Sequence, residues 1–398
     1  MRIDNGKIMG LAAYTIPGIS VFLPLSMATI SYIFGVLLIF LNSKNLFGIS
    51  KSLKPAWVFS LFLLWSAASL AWSVDISFSL GKYPRLVLSV ALGLVIVISA
   101  IILTNKQKSV FEKLLMPGFI WCLLLLVAGL MRESGELLPF FGPHNGIPGK
   151  ELSRLNQGCV ILVLLFWPVL TLHWCNTTHK LILLGCIFLP ISLSSSAAAL
   201  TGLSLSAFVF IVAFFWSRVA LRIITLACLL YIAIAPILHV HYTHPNRWGI
   251  TQHSIAMKET WLPHSAYHRL LIWNFTAEKA LERPLTGWGF ASSRALPGGK
   301  ENLGMQMESL PLHPHNGVLQ IWVELGAVGA LLAALMCLSI TKCLGRLQPG
   351  PDKAAGISLF TCAFVIICVS HGIWQGWWMA ALFLSVAFFI GAKRKNPE

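Results

Sequence analysis

Residues 312–329 of the chain read LHPHNGVLQIWVELGAVG. Two histidines and an Asn-Gly stand at the mouth of an apolar segment, and Glu324 lies inside it. Histidine is the side chain whose ordinary pKa lies near neutrality, so His315 is placed to take a proton from a hydroxyl. The plainer alternative is a polar residue marking a membrane boundary. Glu324 comes nine residues later, about 13 Å deeper and half a turn round a helix, which puts it out of reach of His315. An ionisable residue inside such a segment is a functional candidate by default, and its depth points to a buried partnership with another span. Gly326 and Gly329 form a small-x-x-small pair that allows another helix to pack closely.

Eight of the twelve histidines lie between His239 and His315. His239, His241 and His244 make an H-x-H-x-x-H pattern of the kind that can hold zinc. The stretch around them supplies no cysteine and no aspartate, and no His-Glu-x-x-His pattern occurs, so no metal site is expected. Interfacial loops also favour histidine, tryptophan and tyrosine, which accounts for the cluster without chemistry. The nine cysteines fall nearly all inside apolar segments and form no CxxC pattern or disulfide framework.

The elements that must position these residues are membrane helices. The 398 residues are 57% hydrophobic and 11% charged, and apolar runs longer than about 18 residues recur along the chain. Twelve candidate spans lie near 10–23, 26–42, 56–72, 83–103, 113–131, 157–174, 180–193, 196–216, 219–238, 314–339, 354–371 and 374–391. The first two are close enough to form a hairpin or one broken element. The net charge of +15 is spread in small groups beside apolar segments, which points to topology signals and membrane lipid headgroups, with no nucleic-acid partner. The first apolar stretch runs past a short signal core without a small-residue cleavage site and is expected to remain as an anchor.

Orientation follows from the basic residues. With the N-terminus inside, the inward turns carry Lys44, Lys51 and Lys54, then Lys106, Lys108 and Lys113, then Arg218 and Arg222, then Lys342, Arg346 and Lys353, and the tail carries Lys393, Arg394 and Lys395. The positive-inside rule therefore sets both termini in the cytoplasm. Two sizeable loops face outward: 132–156, with Arg132, Glu133, Glu136, His144 and Arg154, and 239–313. Within the second, TAEKALERPL at 276–285 reads as an amphipathic helix ending at Pro284, after the apolar-aromatic LLIWNF. The expected division is 1–238 as a membrane bundle of about nine helices, 239–313 as a large outer loop, and 314–398 as a bundle of about three helices with a short cytoplasmic tail.

His315-Asn316, nine residues, Gly326, two residues and Gly329 resemble the H-[NSQ]-x9-G-x-x-G signature of the O-antigen ligase and polymerase superfamily. Upstream, RLLIWNFTAEKALERPLTGWGF at 269–290 is similar to that family's R-x-x-x-W…P-x-x-G-x-G stretch. The resemblance implies an all-α polytopic membrane protein of about twelve transmembrane helices, with one large periplasmic loop folded over the active site. It implies a metal-independent, cofactor-free, inverting glycosyl transfer at the periplasmic face of the bacterial inner membrane. The donor would be a glycan on undecaprenyl pyrophosphate and the acceptor the lipid A-core oligosaccharide.

On that reading His315 is the general base, and arginine supplies the charge a departing pyrophosphate needs. Arg269, in the family-like stretch, is the first candidate clamp; Arg154, entering its span as RLNQG, is the second, Arg247 in HPNRWG the third, and Asn316 joins them as a substrate-binding residue. Each arginine can equally be an interfacial residue reaching headgroups. His313 is the neighbour of the base. The chain departs from the family at 192–202, SLSSSAAALTG, where many members carry an arginine; the phosphate contact then moves to Arg154 or stays unfilled.

Three outcomes stand within the superfamily: ligation to lipid A-core, repeat-unit polymerisation, and transfer to a protein hydroxyl. Polymerases often show arginine with glycine eleven residues on, a spacing that none of Arg132, Arg154, Arg247, Arg269, Arg283 or Arg294 has. Protein-directed members extend well past the last span, and this sequence runs seven residues beyond it. Both features favour the ligase. The alternative of another class is a transporter or flippase for a lipid-linked glycan, which predicts similar halves and broken polar helices near the midplane. No half-to-half similarity is visible.

Overall fold

A computed structural model describes residues 4–50, 56–133, 150–172, 177–248, 264–302 and 308–393. Lys51, Lys54, Glu136, His144, Arg394 and Lys395 of the sequence reading lie outside them. The described chain is helical: α1 (Asn5–Phe22), α2 (Ser26–Ser50), α3 (Ala56–Ala68), α4 (Ile76–Ile101), α5 (Asn105–Glu133), α6 (Lys150–Leu170), α7 (Thr177–Leu193), α8 (Ala197–Tyr242), α9 (His264–Glu282), α10 (Gly317–Gly345), α11 (Pro351–Val369) and α12 (Gly376–Ala392). Among these residues there is no strand, only an isolated bridge between Asn302 and Glu308. A helix closes its own backbone hydrogen bonds, which is what an apolar chain needs in lipid. Five helices, α4, α5, α8, α10 and α11, are long and apolar enough to cross a membrane, and five shorter apolar ones accompany them. The chain is a polytopic membrane protein.

The element α8 covers 46 residues, about 69 Å if straight, far more than one bilayer needs. It is not straight. Trp216 has non-helical backbone angles (φ −129°, ψ 54°), and the contacts on either side of it fold back. Gly202 lies against Ile366 near the end of α11, and Tyr231 packs on Phe364 with ring centroids 6.2 Å apart. Ala213 and Ala220 instead share a buried cluster with Ala354 and Ile357 at the start of α11. Two antiparallel arms meeting at Trp216 satisfy all of these contacts, as the two expected spans 196–216 and 219–238 require.

That turn lies at the end of the bundle where basic residues gather. The Lys108 amine donates to the carbonyls of Ile390 and Lys393, and the Lys353 amine to those of Gly345 and Leu347. The start of α10, with His315, is at the opposite end.

One expectation needs correction. The outer-loop helix is α9, which begins at His264 and already contains LLIWNF, rather than starting at 276. Its buried side chains Tyr267, Leu271, Asn274 and Ala277 recur at helical spacing through the aromatic stretch, so that stretch is one face of the helix. The helix stops at Glu282 because Arg283 precedes Pro284, whose ring disfavours helical angles in the residue before it.

Candidate functional site

The start of α10 is built by Asn316. It is 1% exposed, and its side-chain oxygen accepts from the backbone N–H groups of Val318 and Leu319, both at 3.1 Å. These are donors that a helix start leaves without intrahelical partners. Its amide donates to the Tyr231 hydroxyl at 2.6 Å, and Tyr231 in turn meets His239 Nε2 at 3.0 Å. Asn316 is thus committed to the protein through both side-chain polar atoms and couples α10 to the second arm of α8. The residue before it, His315, adopts a left-handed backbone conformation (φ 54°), uncommon for a side chain with a Cβ and characteristic of functional turns.

That turn aims the imidazole at the link between α11 and α12. His315 Nδ1 lies 2.6 Å from the carbonyl oxygen of Ser370. A carbonyl only accepts, so Nδ1 carries the proton and Nε2 holds the lone pair. Among the described residues Nε2 has no protein partner. His313 stacks edge-on against His315, centroids 4.2 Å apart, and is held by the Gln375 amide at 2.9 Å from its Nε2. His371, next to Ser370, packs its ring on Trp377 at 4.6 Å.

The electrostatics of this corner keep its histidines neutral. Burial, then the neighbouring His313 and the Arg269 charge, pushes His315 down to about 3 against the opposing Ser370 hydrogen bond. Burial likewise takes His313 down to about 4 and His371 to about 3. Arg269 itself is partly buried on α9, and burial pushes its guanidinium below the ordinary arginine range. The ion pairs among the described residues, Lys279–Glu282 and Lys300–Glu308, do not involve it. A neutral imidazole with a free lone pair can accept a proton, and a guanidinium whose charge is felt there can attract an anion.

Below His315, α10 breaks at Gly326 (φ 65°, ψ −162°), a region open essentially to glycine alone. The groups freed by the break are taken up by the segment after α9. Trp288 N donates to the Val323 carbonyl and Gly289 N to that of Glu324, each at 2.8 Å, while Ala327 N donates to the Pro284 carbonyl at 2.8 Å. Trp65 Nε1 completes the set on the Leu325 carbonyl at 3.0 Å. This corrects the expected role of Gly326: it admits a docked loop rather than another helix. Gly287 serves the same approach from the loop side, with φ 67° and the Glu324 carbonyl carbon 2.5 Å from where a Cβ would stand. The family-like stretch within the outer loop and the one that follows it are therefore one hydrogen-bonded unit.

Glu324 is fully buried and accepts from Ala291 N at 2.8 Å, the Ser293 hydroxyl, Gln320 Nε2 at 3.0 Å and Trp374 Nε1. Burial was expected. Its partners, apart from Gln320 on its own helix, come from the docked loop and the α11–α12 link instead of a neighbouring span.

The remaining candidates are dispersed. Arg154 is exposed near the start of α6, where Asn156 accepts from Ser195 at 3.2 Å. The SLSSS stretch is thus its neighbour, and no contact among the described residues ties it to His315. Arg247 lies against His241, 2.9 Å from its Nε2, and the Tyr242 ring, lining a cavity of about 490 Å³ with His241, His244 and Leu281. Leu281 is twelve residues beyond Arg269 on α9, about 18 Å along the axis. His239 is turned inward to Tyr231 and His241 outward to Arg247, so the three-histidine pattern does not converge, and no cluster among the described residues is placed to hold a metal.

Ser370, His371 and Gln375 were missed in the sequence because they belong to the site only through the fold. So was a cationic patch at the start of α4: the Arg294 guanidinium lies 4.1 Å and the Lys82 amine 5.1 Å from the centre of the Phe78 ring, with Arg85 one turn on.

Residues 181–334 match the family model described as O-antigen ligase. A protein of Rickettsia typhi named "Putative polysaccharide ligase" is 29% identical over 284 residues, 70% of this chain and 67% of the relative. Its counterpart in Rickettsia conorii is 27% identical over 81% of this chain and 75% of its own length. A third, in Rickettsia prowazekii, is 30% identical over 67% of this chain and 64% of its own. The matched region contains the second arm of α8, Arg269, the docked loop, His315 and the break at Gly326, and over it the chain is similar to the O-antigen ligase family.

Proposed function

We propose that the protein transfers a polysaccharide from undecaprenyl pyrophosphate to the lipid A-core oligosaccharide, in lipopolysaccharide biosynthesis at the periplasmic face of the inner membrane. Similarity to the O-antigen ligase family and to the rickettsial relatives supports the coarser statement, a polysaccharide ligase acting on lipid-linked glycan. The donor, acceptor and residue roles are our reading. The observation that carries it is the Ser370 hydrogen bond, which leaves the His315 Nε2 lone pair without a protein partner among the described residues.

The step is a single displacement. The acceptor hydroxyl gives its proton to His315 Nε2 as its oxygen bonds to the anomeric carbon. The bond from that carbon to the pyrophosphate breaks, and its electron pair leaves with the phosphate. Arg269 neutralises the charge that develops there. Attack opposite the leaving group inverts the anomeric centre. Asn316 fixes the turn that presents His315, and Arg154 and Arg247 meet glycan or phosphate groups further from the reacting carbon. The outer loop 239–313 folds over this site, between a membrane bundle at 1–238 and a second at 314–398. The basic end of the bundle supports cytoplasmic termini.

The test mixes purified enzyme in lipid nanodiscs with carrier-linked glycan and lipid A-core, without nucleotide. Glycan attached to lipid A-core is expected. Lengthened carrier-linked glycan would make the protein a polymerase, and glycan moved across a vesicle membrane without transfer would make it a transporter.

A further inference from the structure

Glu324 is a carboxylate with no cation among its four hydrogen-bond donors, at 0% exposure inside a membrane helix. A buried charge costs several kcal/mol unless it is well compensated, and an apolar side chain would fill the same volume more cheaply. Its donors come from three parts of the chain: Ala291 and Ser293 of the docked loop, Gln320 of α10, and Trp374 of the α11–α12 link. Gln320 extends the reach, because its oxygen accepts from Ile373 N at 2.9 Å. The link 370–375 therefore has two interior anchors, Ile373 N and Trp374 Nε1, and both end on the Glu324–Gln320 pair. The same link supplies the Ser370 carbonyl that orients His315 and the Gln375 amide that holds His313.

We infer that Glu324 is a positioning residue for glycan transfer, setting the tautomer and orientation of His315 through Gln320, Trp374 and the 370–375 link. It touches no substrate. This rests on the reading of His315 as the base. The docked loop donates to Glu324 as well, Ala291 N sharing one carboxylate oxygen with Trp374, so the side chain registers the loop that follows Arg269 and the link behind His315 against one point.

Glu324→Gln keeps the shape but leaves one acceptor oxygen for four donors, and its own N–H groups confront two of them. Misplacing a catalytic group by about 1 Å costs on the order of 10²-fold, so kcat should fall on that order. Donor KM should stay within about twofold, since ground-state binding is untouched. Trp374→Phe removes a single donor and keeps the ring packing on Phe62 and Phe290; it should lower kcat severalfold at unchanged KM. The deciding comparison places Glu324→Gln in a His315→Ala background, with residual transfer read over long incubations. No further loss there shows that Glu324 acts through His315. The same fold loss in both backgrounds, or a rise in KM with unchanged kcat, overturns the inference. Where Glu324→Gln fails to accumulate, Trp374→Phe decides: wild-type kcat overturns it. Normal transfer by His315→Ala alone would instead remove the function reading, so the two failures are distinguishable.

Discussion

Replacing Gly326 by alanine probes the joint between α10 and the outer loop. Two costs add. The backbone angles of φ 65° and ψ −162° carry a strain of about 1–3 kcal/mol for a residue with a Cβ. That Cβ would also stand 2.3 Å from the Leu285 carbonyl oxygen and 2.4 Å from its carbon. Both atoms are backbone, so relief means moving the loop away and loosening the bonds from Ala327 to Pro284, Trp288 to Val323 and Gly289 to Glu324. At about 0.5–1.5 kcal/mol each, with the strain, the total is about 2.5–7.5 kcal/mol, a large share of the 5–15 typical of a folded protein. The assay is denaturant unfolding of detergent-purified protein followed by tryptophan fluorescence, for which Trp65, Trp288 and Trp374 surround the break. Gly185→Ala in α7, where a Cβ meets nothing within 4 Å, is the control and should be neutral or stabilising by up to about 1 kcal/mol. Gly326→Ala with stability within about 1 kcal/mol of wild type would refute the accounting of hydrogen bonds across the break.

Asn316→Ala should cost about 2–4 kcal/mol, combining a lost helix cap with buried groups left unpaired, and reduce transfer; wild-type stability in the same unfolding assay would contradict its role at the helix start. Arg269→Lys keeps a charge but loses the planar fork, so initial rates should show donor KM rising and kcat falling, whereas unchanged kinetics would remove it from the site. Because burial holds His315 down to about 3, it stays neutral and able to act as a base between pH 7 and 5. The pH profile of kcat/KM should then show no acid limb near 6.5, and a limb there would contradict the site's electrostatics. The same depression has a stability sign: the unfolded histidines bind protons near pH 6.5 while folded His313, His315 and His371 do not. Stability present above pH 6.5 should therefore fall as the pH drops below it, by up to about 1.4 kcal/mol per unit for each; a melting temperature flat from pH 7 to 5 would refute it.

The membrane helices were readable because each is an apolar run, and even the two arms of α8 appear as separate runs with Arg218 between them. His315 and Asn316 were readable because the motif is contiguous. What stayed hidden depends on the chain returning from far away. Ser370 is 55 residues from His315, and nothing in its type marks it as the acceptor that sets the imidazole tautomer. Gly326 and Gly329 have the letters of a helix-packing pair, and a left-handed backbone angle leaves no other trace in sequence. The start of α9 was misplaced because LLIWNF looks like an apolar strand or anchor until the buried face continues through it. Asn316 looks like a substrate ligand by its place beside the base, and the structure shows its polar atoms already engaged by Val318, Leu319 and Tyr231.

The central claim is that His315 takes the acceptor's proton. Single-turnover transfer from carrier-linked glycan to lipid A-core, compared between wild type and His315→Ala at matched folded protein and saturating donor, tests it most directly. The account predicts that donor binding persists while transfer drops by at least about 10²-fold, the usual contribution of a positioned base. Transfer by His315→Ala at the wild-type rate would contradict it.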